Sequence, residues 1–271
     1  MPSLIEPSPQ QPVPTETVSN GCFETMRAYR GRIFRLDGHL DRLYASARDL
    51  GTRAPANRRR LRQQLAQALS RSGLREAVVR VALLPQWCAE AQASIVVQPV
   101  HLPSPTAYRR GIRVAIVPTR KFSVGSIDPQ AKYSARLGSI LAVMDARLRG
   151  VDEALFMDTL GYVTESTASN FAVIKGGSIL TPPCWLGLLA GITRDVLVEL
   201  AASLRLPIQE SPLTRHEVYN AEEAFLSSTI KEILAVTSID GRRIGTGRPG
   251  PITKRLHRAF RQFVRRELTL Q

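Results

Sequence analysis

Four short apolar segments, ALFMD, YVTE, NFAVI and SILT, follow one another between Ala154 and Thr181, and glycine turns at Leu160-Gly161 and Gly176-Gly177 separate the members of each pair. Strand-forming runs joined through so few residues pair as antiparallel hairpins, because tight hairpin turns need the positive φ that glycine adopts freely. A sheet built only from strand–helix–strand crossovers has no place for such a stretch. The rest of this half is mixed. A helix from Gly191 to Leu204 presents Ile192, Val196, Leu197 and Leu200 at helical spacing. The strands EEAFLSS and ILAVTSI come next, then a turn at Asp240-Gly241 and a last helix carrying Leu256, Phe260, Phe263 and Leu268. Ahead of the hairpins, a helix opened by Lys132 carries an apolar stripe of Leu137, Ile140, Leu141, Met144 and Leu148 and stops at Gly150.

The first half reads in the same mixed way. CFETMRAY and RIFRL are strands around a turn at Arg30-Gly31. Asp37 is the expected N-cap of a helix in which Leu40, Leu43, Tyr44, Ala47 and Leu50 recur before Gly51. A second helix runs from Asn57 to Ser70, and AVVRVALL, ASIVVQPV and IRVAIVP are further strands. Antiparallel strands with added helices make an α+β fold. The expected division is a proline-rich flexible arm over 1–18, an N-terminal α+β lobe over 19–118, a linker without sustained periodicity over 119–129, and a second lobe over 130–271.

Composition narrows the function. A chain of 271 residues, 44% of them hydrophobic, can bury two cores, and no run approaches the length of a membrane span or the pattern of a secretory leader. A cytoplasmic protein is expected. Cys22, Cys88 and Cys184 lack CxxC or Cys/His ligand spacing, so neither a disulfide framework nor a metal site is expected. The net charge of +14 invites a nucleic-acid reading, but the arginines are scattered over helix faces and loops without interleaved aromatics, so no nucleic-acid partner is expected.

Three features carry chemistry. Only five residues are lysines, and arginine cannot lose its proton to become a nucleophilic amine, so the candidates are Lys121, Lys132, Lys175, Lys231 and Lys254. Lys175 adjoins a glycine turn, Lys254 lies on a basic helix, Lys121 lies in a loop and Lys231 precedes Glu232. Lys132, between Ala131 and Tyr133, is the one expected to be half-buried. Glu165 ends a hairpin strand beside the small residues Ser166 to Asn170, where a flat ring could approach it. Gly191-Ile192-Thr193 opens a helix, whose first-turn amides favour a phosphate. Each alone has an ordinary reading, as a surface acid or as one helix start among several.

In order, the segments GCFETMRAYRGRIFRLDGHLDRLYASA, the lysine, DEALFMDTLGYVTESTASNFAVIKGGSILTPP, GITR, FLSSTIKEI and IDGRRIGTGRPGPITKRL resemble the class IV aminotransferases, the fold type IV pyridoxal-phosphate enzymes, from about Asn20 to Phe260. The resemblance implies a second lobe built as a pseudo-barrel, a homodimer, and pyridoxal 5′-phosphate bound between the lobes. It implies that Lys132 bonds to the cofactor and shuttles a proton at the substrate α-carbon, and that Glu165 pairs with the ring nitrogen. Arg42, Ile192, Thr193 and Thr229 would hold the phosphate. Taken singly, Arg42 would serve equally well in an ion pair with Asp41 or Asp49, and Thr229 as a strand-end hydroxyl.

The implied reaction is transamination between an amino acid, branched-chain favoured, and a 2-oxo acid such as 2-oxoglutarate. Arg136 and Leu137 stand where branched-chain members carry a GGNY-like stretch, a register similar to aminodeoxychorismate lyases and D-amino-acid aminotransferases. FLSSTIKEI is closer to the aminotransferases. Ile230 and Lys231 replace small residues where the family holds a substrate carboxylate, which predicts a narrower and more cationic pocket mouth.

Overall fold

The computed structural model describes residues 21–83, 93–121 and 128–270. The arm 1–18, Cys88 and most of the expected linker lie outside the described residues. The first lobe is a four-stranded antiparallel sheet in the order β2-β1-β3-β4, made of β1 (Cys22–Tyr29), β2 (Arg32–Ile33), β3 (Ala77–Leu83) and β4 (Ala93–Pro99). Helices α1 (Leu36–Asp49) and α2 (Arg58–Ser72) cover one face of it. Period-two alternation puts Cys22, Met26 and Ala28 on the covered face of β1, against Leu40 and Leu43 of α1 and Leu61, Leu65 and Leu69 of α2. Asn57 caps α2 by accepting the Arg60 amide, and Gly73 ends it. Asp37 is not the cap of α1. The helix begins two residues earlier, at Leu36, after Arg35 in the left-handed region, and Asp37 sits in the first turn, paired with Arg62.

The second sheet comprises β5 (Ile112–Arg120), β6 (Glu153–Met157), β7 (Val163–Ser166), β8 (Asn170–Lys175), β9 (Ser178–Thr181), β10 (Ile208–Glu210), β11 (Glu223–Ser228), β12 (Glu232–Ile239) and β13 (Arg242–Arg243). The run β8-β11-β12-β5-β6-β7 closes because β7 also pairs with β8, giving a barrel. Both expected hairpins form, and Gly176 and Gly177 take φ of 57° and 73° in the second. Alternation divides β8 cleanly. Phe171 and Val173 fill the barrel with Val114, Leu155, Leu226 and Val236, whereas Ala172 and Ile174 face outward. There they meet Val196 and Leu200 of helix α5 (Ile192–Ser203) and Leu256 and Phe260 of helix α7 (Pro251–Leu270).

Three expectations change. The strand IRVAIVP, expected in the first lobe, is β5 of the barrel, parallel to β12 and β6, so the chain passes between sheets over residues 100–111 and the short helix α3 (Pro105–Arg110). An apolar strand looks the same whichever sheet accepts it. Lys132 does not open a helix, because α4 begins at Leu137 and ends at Leu148. Its apolar stripe does not enter the core either. Leu137 and Leu148 are 67% and 87% exposed, and Ile140, Leu141 and Met144 are also exposed. The face turned inward is Ala142 and Ala146, small enough for α4 to lie close on Ala154 and Phe156. The short helix α6 (Arg215–Tyr219) was not expected. It is set by a capping box between Thr214 and Glu217.

The two lobes are joined through β1. Arg27 donates to Glu232 at 2.8 Å, and Tyr29 and His257 reach the same carboxylate. Phe23 donates its amide to the Lys132 carbonyl at 3.0 Å and Ser134 donates to that of Gly21 at 2.8 Å. The lysine segment is thereby fixed to the first lobe, while β5 before it and α4 after it belong to the second.

Candidate active site

Between the lobes lies a cavity of about 470 Å³, in the range of small-molecule and cofactor sites. Lys132, Glu165, Arg42, Ile192, Thr193, Thr229 and Ile230, drawn from separate stretches of chain, all line it.

Lys132 is fixed by backbone. Its amide donates to Ser46 Oγ of α1 at 2.9 Å, its carbonyl accepts from Phe23, and its amine lies 4.9 Å from the centre of the Phe23 ring. Burial brings the amine down from the ordinary lysine range to about 8. Glu24 opposes that shift, and Arg42 and Arg136 add to it. At pH 7 roughly a tenth of this amine is therefore unprotonated, against a negligible share of an ordinary lysine, and the unprotonated form is the one a nucleophile needs.

Glu165, on β7, is buried and heavily engaged. Oε2 accepts from Asn170 Nδ2 at 3.2 Å and the Leu189 amide at 3.3 Å, and Oε1 accepts from Lys121 Nζ at 2.6 Å. A carboxylate offers more lone pairs than these donors fill, so it can take one further N–H from the cavity.

Arg42 reaches inward from α1. Nε and Nη2 donate to Glu24 at 2.6 and 2.9 Å, and Nη1 donates to the Ala190 carbonyl at 2.6 Å. Neither Asp41 nor Asp49 is its partner. Burial pushes the Glu24 carboxyl up, but Arg42 and His39 outweigh it and hold the group at about 2. His39, whose Nδ1 is 2.8 Å from Glu24, is driven down by burial, which outweighs the opposing pull of the Glu24 carboxylate. The guanidinium keeps unused N–H groups for an anion in the cavity. Beside it α5 starts after Gly191 with no side-chain cap on its first-turn amides. A side chain at Gly191 would not fit, because its Cβ would fall 2.0 Å from Asn170 Oδ1.

Several site residues escaped the sequence reading. Glu24 was detectable: it shares the buried face of β1 with Cys22 and Met26, and a carboxylate there demands a cation, which Arg42 on the next helix supplies. Lys121, expected in a loop, follows β5 and lies inside the cavity. Arg80 of β3 and Arg136 also face it. The Arg136 guanidinium donates to the Thr167 carbonyl and lies 5.9 Å from the Phe23 ring centre. Lys231 does not make the mouth more cationic as expected, since its ammonium is paired with Glu153 and donates to Ser169 Oγ.

These groups fit pyridoxal 5′-phosphate. The amine suits its aldehyde carbon, the spare lone pair of Glu165 its ring N–H, and Arg42 with the uncapped start of α5 its phosphate.

Comparison with known proteins agrees. A family model described as amino-transferase class IV matches residues 21–239. The chain is 36% identical over 253 residues to a Methanocaldococcus jannaschii protein provisionally named a branched-chain-amino-acid aminotransferase, covering 90% of this chain and 87% of that one. It is 33% identical over 258 residues to the branched-chain-amino-acid aminotransferase of Pseudomonas aeruginosa, covering 90% and 84%. The crystal structure of the branched-chain aminotransferase from the archaeon Thermoproteus uzoniensis with norvaline superposes with a TM-score of 0.82 at 32% identity, over 90% of this chain and 85% of that one. The same fold has been crystallised with pyridoxamine 5′-phosphate in another branched-chain amino acid aminotransferase, which superposes with a TM-score of 0.87. With a barrel of the same fold, a lysine in the interlobe cavity and a family match over most of its length, this chain belongs to the class IV aminotransferases, enzymes that depend on pyridoxal 5′-phosphate.

Proposed function

We propose that the protein is a pyridoxal-phosphate-dependent aminotransferase that moves an amino group from a branched-chain amino acid to a 2-oxo acid such as 2-oxoglutarate. The observation that carries this reading is a lysine with its amine near 8 sharing one cavity with an ion-paired carboxylate and an arginine beside a bare helix start. When bound, the cofactor supplies a ring that withdraws electrons from the substrate α-carbon. Lys132 would hold it at rest and would move a proton from the substrate α-carbon to the cofactor side. Glu165 holds the ring nitrogen, and Arg42, Ile192, Thr193 and Thr229 hold the phosphate. Ile230, at the turn after β11, borders the substrate carboxylate, and Phe23, Leu102 and Ile230 give apolar surface to a branched side chain. Arg80 and Arg136 suit the second carboxylate of the 2-oxo acid.

Arg42→Ala is expected to weaken cofactor binding by about 1.5–3 kcal/mol, the range of a hydrogen bond to a charged group. Fluorescence titration of the apoprotein with pyridoxal 5′-phosphate would measure it as a roughly ten- to hundredfold rise in Kd.

The reaction itself is tested in a single turnover. L-leucine added without oxo acid should bleach the cofactor's visible band and yield one equivalent of 4-methyl-2-oxopentanoate per site, and 2-oxoglutarate should restore the band. An unchanged band with L-leucine, together with sustained pyruvate release from aminodeoxychorismate, would favour a lyase. Bleaching by D-alanine and not by L-leucine would favour a D-amino-acid aminotransferase.

We further propose a homodimer. The exposed stripe of α4 supports it, since so many large apolar side chains on one helix face seldom stay in water. The stripe lies next to the cavity, whose lining includes Gly138 and Ser139 of the same helix. Light scattering should give twice the chain mass for the native protein, and Leu141→Glu with Met144→Glu should shift it to the monomer. A cytoplasmic setting completes the reading. Among the described residues no helix is long and apolar enough to cross a membrane.

A further inference from the structure

One turn in the cavity wall ends in a backbone conformation that its residue would not choose. β11 stops at Ser228 and β12 starts at Glu232, and Thr229, Ile230 and Lys231 connect them along the cavity. Glu232 has a φ of 55°, and among the described non-glycine residues with positive φ it is the buried one, at 5% exposure. A β-carbon makes that region costly, so a residue stays there only where its surroundings over-determine it. Here they do. Arg27 Nη1 and the Tyr29 hydroxyl, both from β1, donate to Glu232 Oε1 at 2.8 and 3.3 Å. From α7, His257 Nε2 lies 2.8 Å from Oε2 and Arg261 Nε 3.8 Å from it. Burial pushes the Glu232 carboxyl up, but His257 and Arg27 outweigh it and hold the group below its ordinary range. The adjoining peptide is tied as well. Tyr108 of α3 donates its hydroxyl to the Lys231 carbonyl at 3.0 Å, and its ring stacks on His257 with centres 4.9 Å apart. The Lys231 amide donates to Ser228 Oγ at 3.2 Å.

We propose that Glu232 and Tyr108 are positioning residues that lock the β11–β12 turn, clamped from both lobes, in the shape that receives the substrate carboxylate. This rests on the proposed reading in which that carboxylate meets the turn at Ile230. Neither residue lines the cavity, so each acts through the backbone between them. A turn already fixed loses little freedom when substrate arrives. The clamp therefore serves substrate affinity and leaves the proton transfer at Lys132 alone.

The test follows the first half-reaction of the holoenzyme by stopped flow over a range of L-leucine concentrations. 4-Methylpentanoate, which keeps the carboxylate and the branched chain but has no amine, is added as a competitor. Tyr108→Phe removes one hydroxyl and keeps the stack on His257. It should raise the apparent Kd for L-leucine and for the competitor about three- to tenfold, the scale of one neutral hydrogen bond. The limiting rate should stay within about twofold of wild type on the same scale, and the Kd for pyridoxal 5′-phosphate should not move. Glu232→Gln should show the same split more strongly; if it does not fold, Tyr108→Phe decides alone. A merely structural role would lower Tm and the amplitude of the reaction while the folded fraction kept the wild-type Kd. Unchanged Kd values, or a slower limiting rate without weaker binding, overturn the proposal. Wild-type protein that L-leucine does not bleach would remove the aminotransferase reading and this proposal with it, whereas normal bleaching with unchanged Kd values removes the proposal alone.

Discussion

Lys132→Ala should lose amino-group transfer by about 10³- to 10⁴-fold, in line with removing a group that moves the proton in the rate-determining chemistry. No other amine can take over. Lys121 is held by Glu165 and Lys231 by Glu153, so neither is free to attack or to shuttle. The loss should be chemical and not a loss of fold. The Lys132 amine is depressed to about 8 because burial disfavours its charged form, so the folded state binds fewer protons than the unfolded chain between about 8 and the ordinary lysine value. Its charge therefore costs stability at pH 7, a cost that fades as pH rises through that window. Calorimetry should find the alanine variant's Tm at or above wild type at pH 7, with the difference shrinking toward pH 10. A variant that melts well below wild type would mean that inactivity reported unfolding.

Glu165→Ala should lower the rate of the first half-reaction by about 10²-fold or more, the scale seen when one preorganised electrostatic contact is removed. Cofactor should still bind, because Arg42 and the start of α5 are separate anchors. Arg42→Ala should show the opposite pattern, with weaker binding and a near-normal rate once the site is saturated. Stopped-flow absorbance at saturating cofactor separates the two. If both variants lost activity only through cofactor loss, this division of roles would be wrong.

The hairpins, most helices and some of the cavity residues, Lys132, Glu165 and Arg42 among them, were legible in the chain because each rests on local pattern: glycine turns, helical spacing, and an ordered series of motifs. The illegible features depended on partners far away in sequence. β5 reads as a strand in either lobe, and only pairing with β12 and β6 places it in the barrel. Lys121 looks like a loop cation until β5 and β7 are both built and Glu165 comes within 2.6 Å. The α4 stripe has the spacing of a core helix. It is exposed because the alanine face satisfies the packing on β5 and β6, a choice that apolar spacing alone cannot reveal. Glu24 is the instructive middle case, since a carboxylate on an apolar strand face calls for a buried cation partner on sequence grounds alone.

The central claim is that Lys132 is the residue bonded to the cofactor. Borohydride reduction of the holoenzyme, followed by proteolysis and mass spectrometry, reads this directly by fixing the phosphopyridoxyl group where it sits. The adduct is expected on the peptide spanning Ala131-Lys132-Tyr133 and nowhere else. Recovery of the label on Lys121, Lys175, Lys231 or Lys254, or of no label at all, would contradict the account.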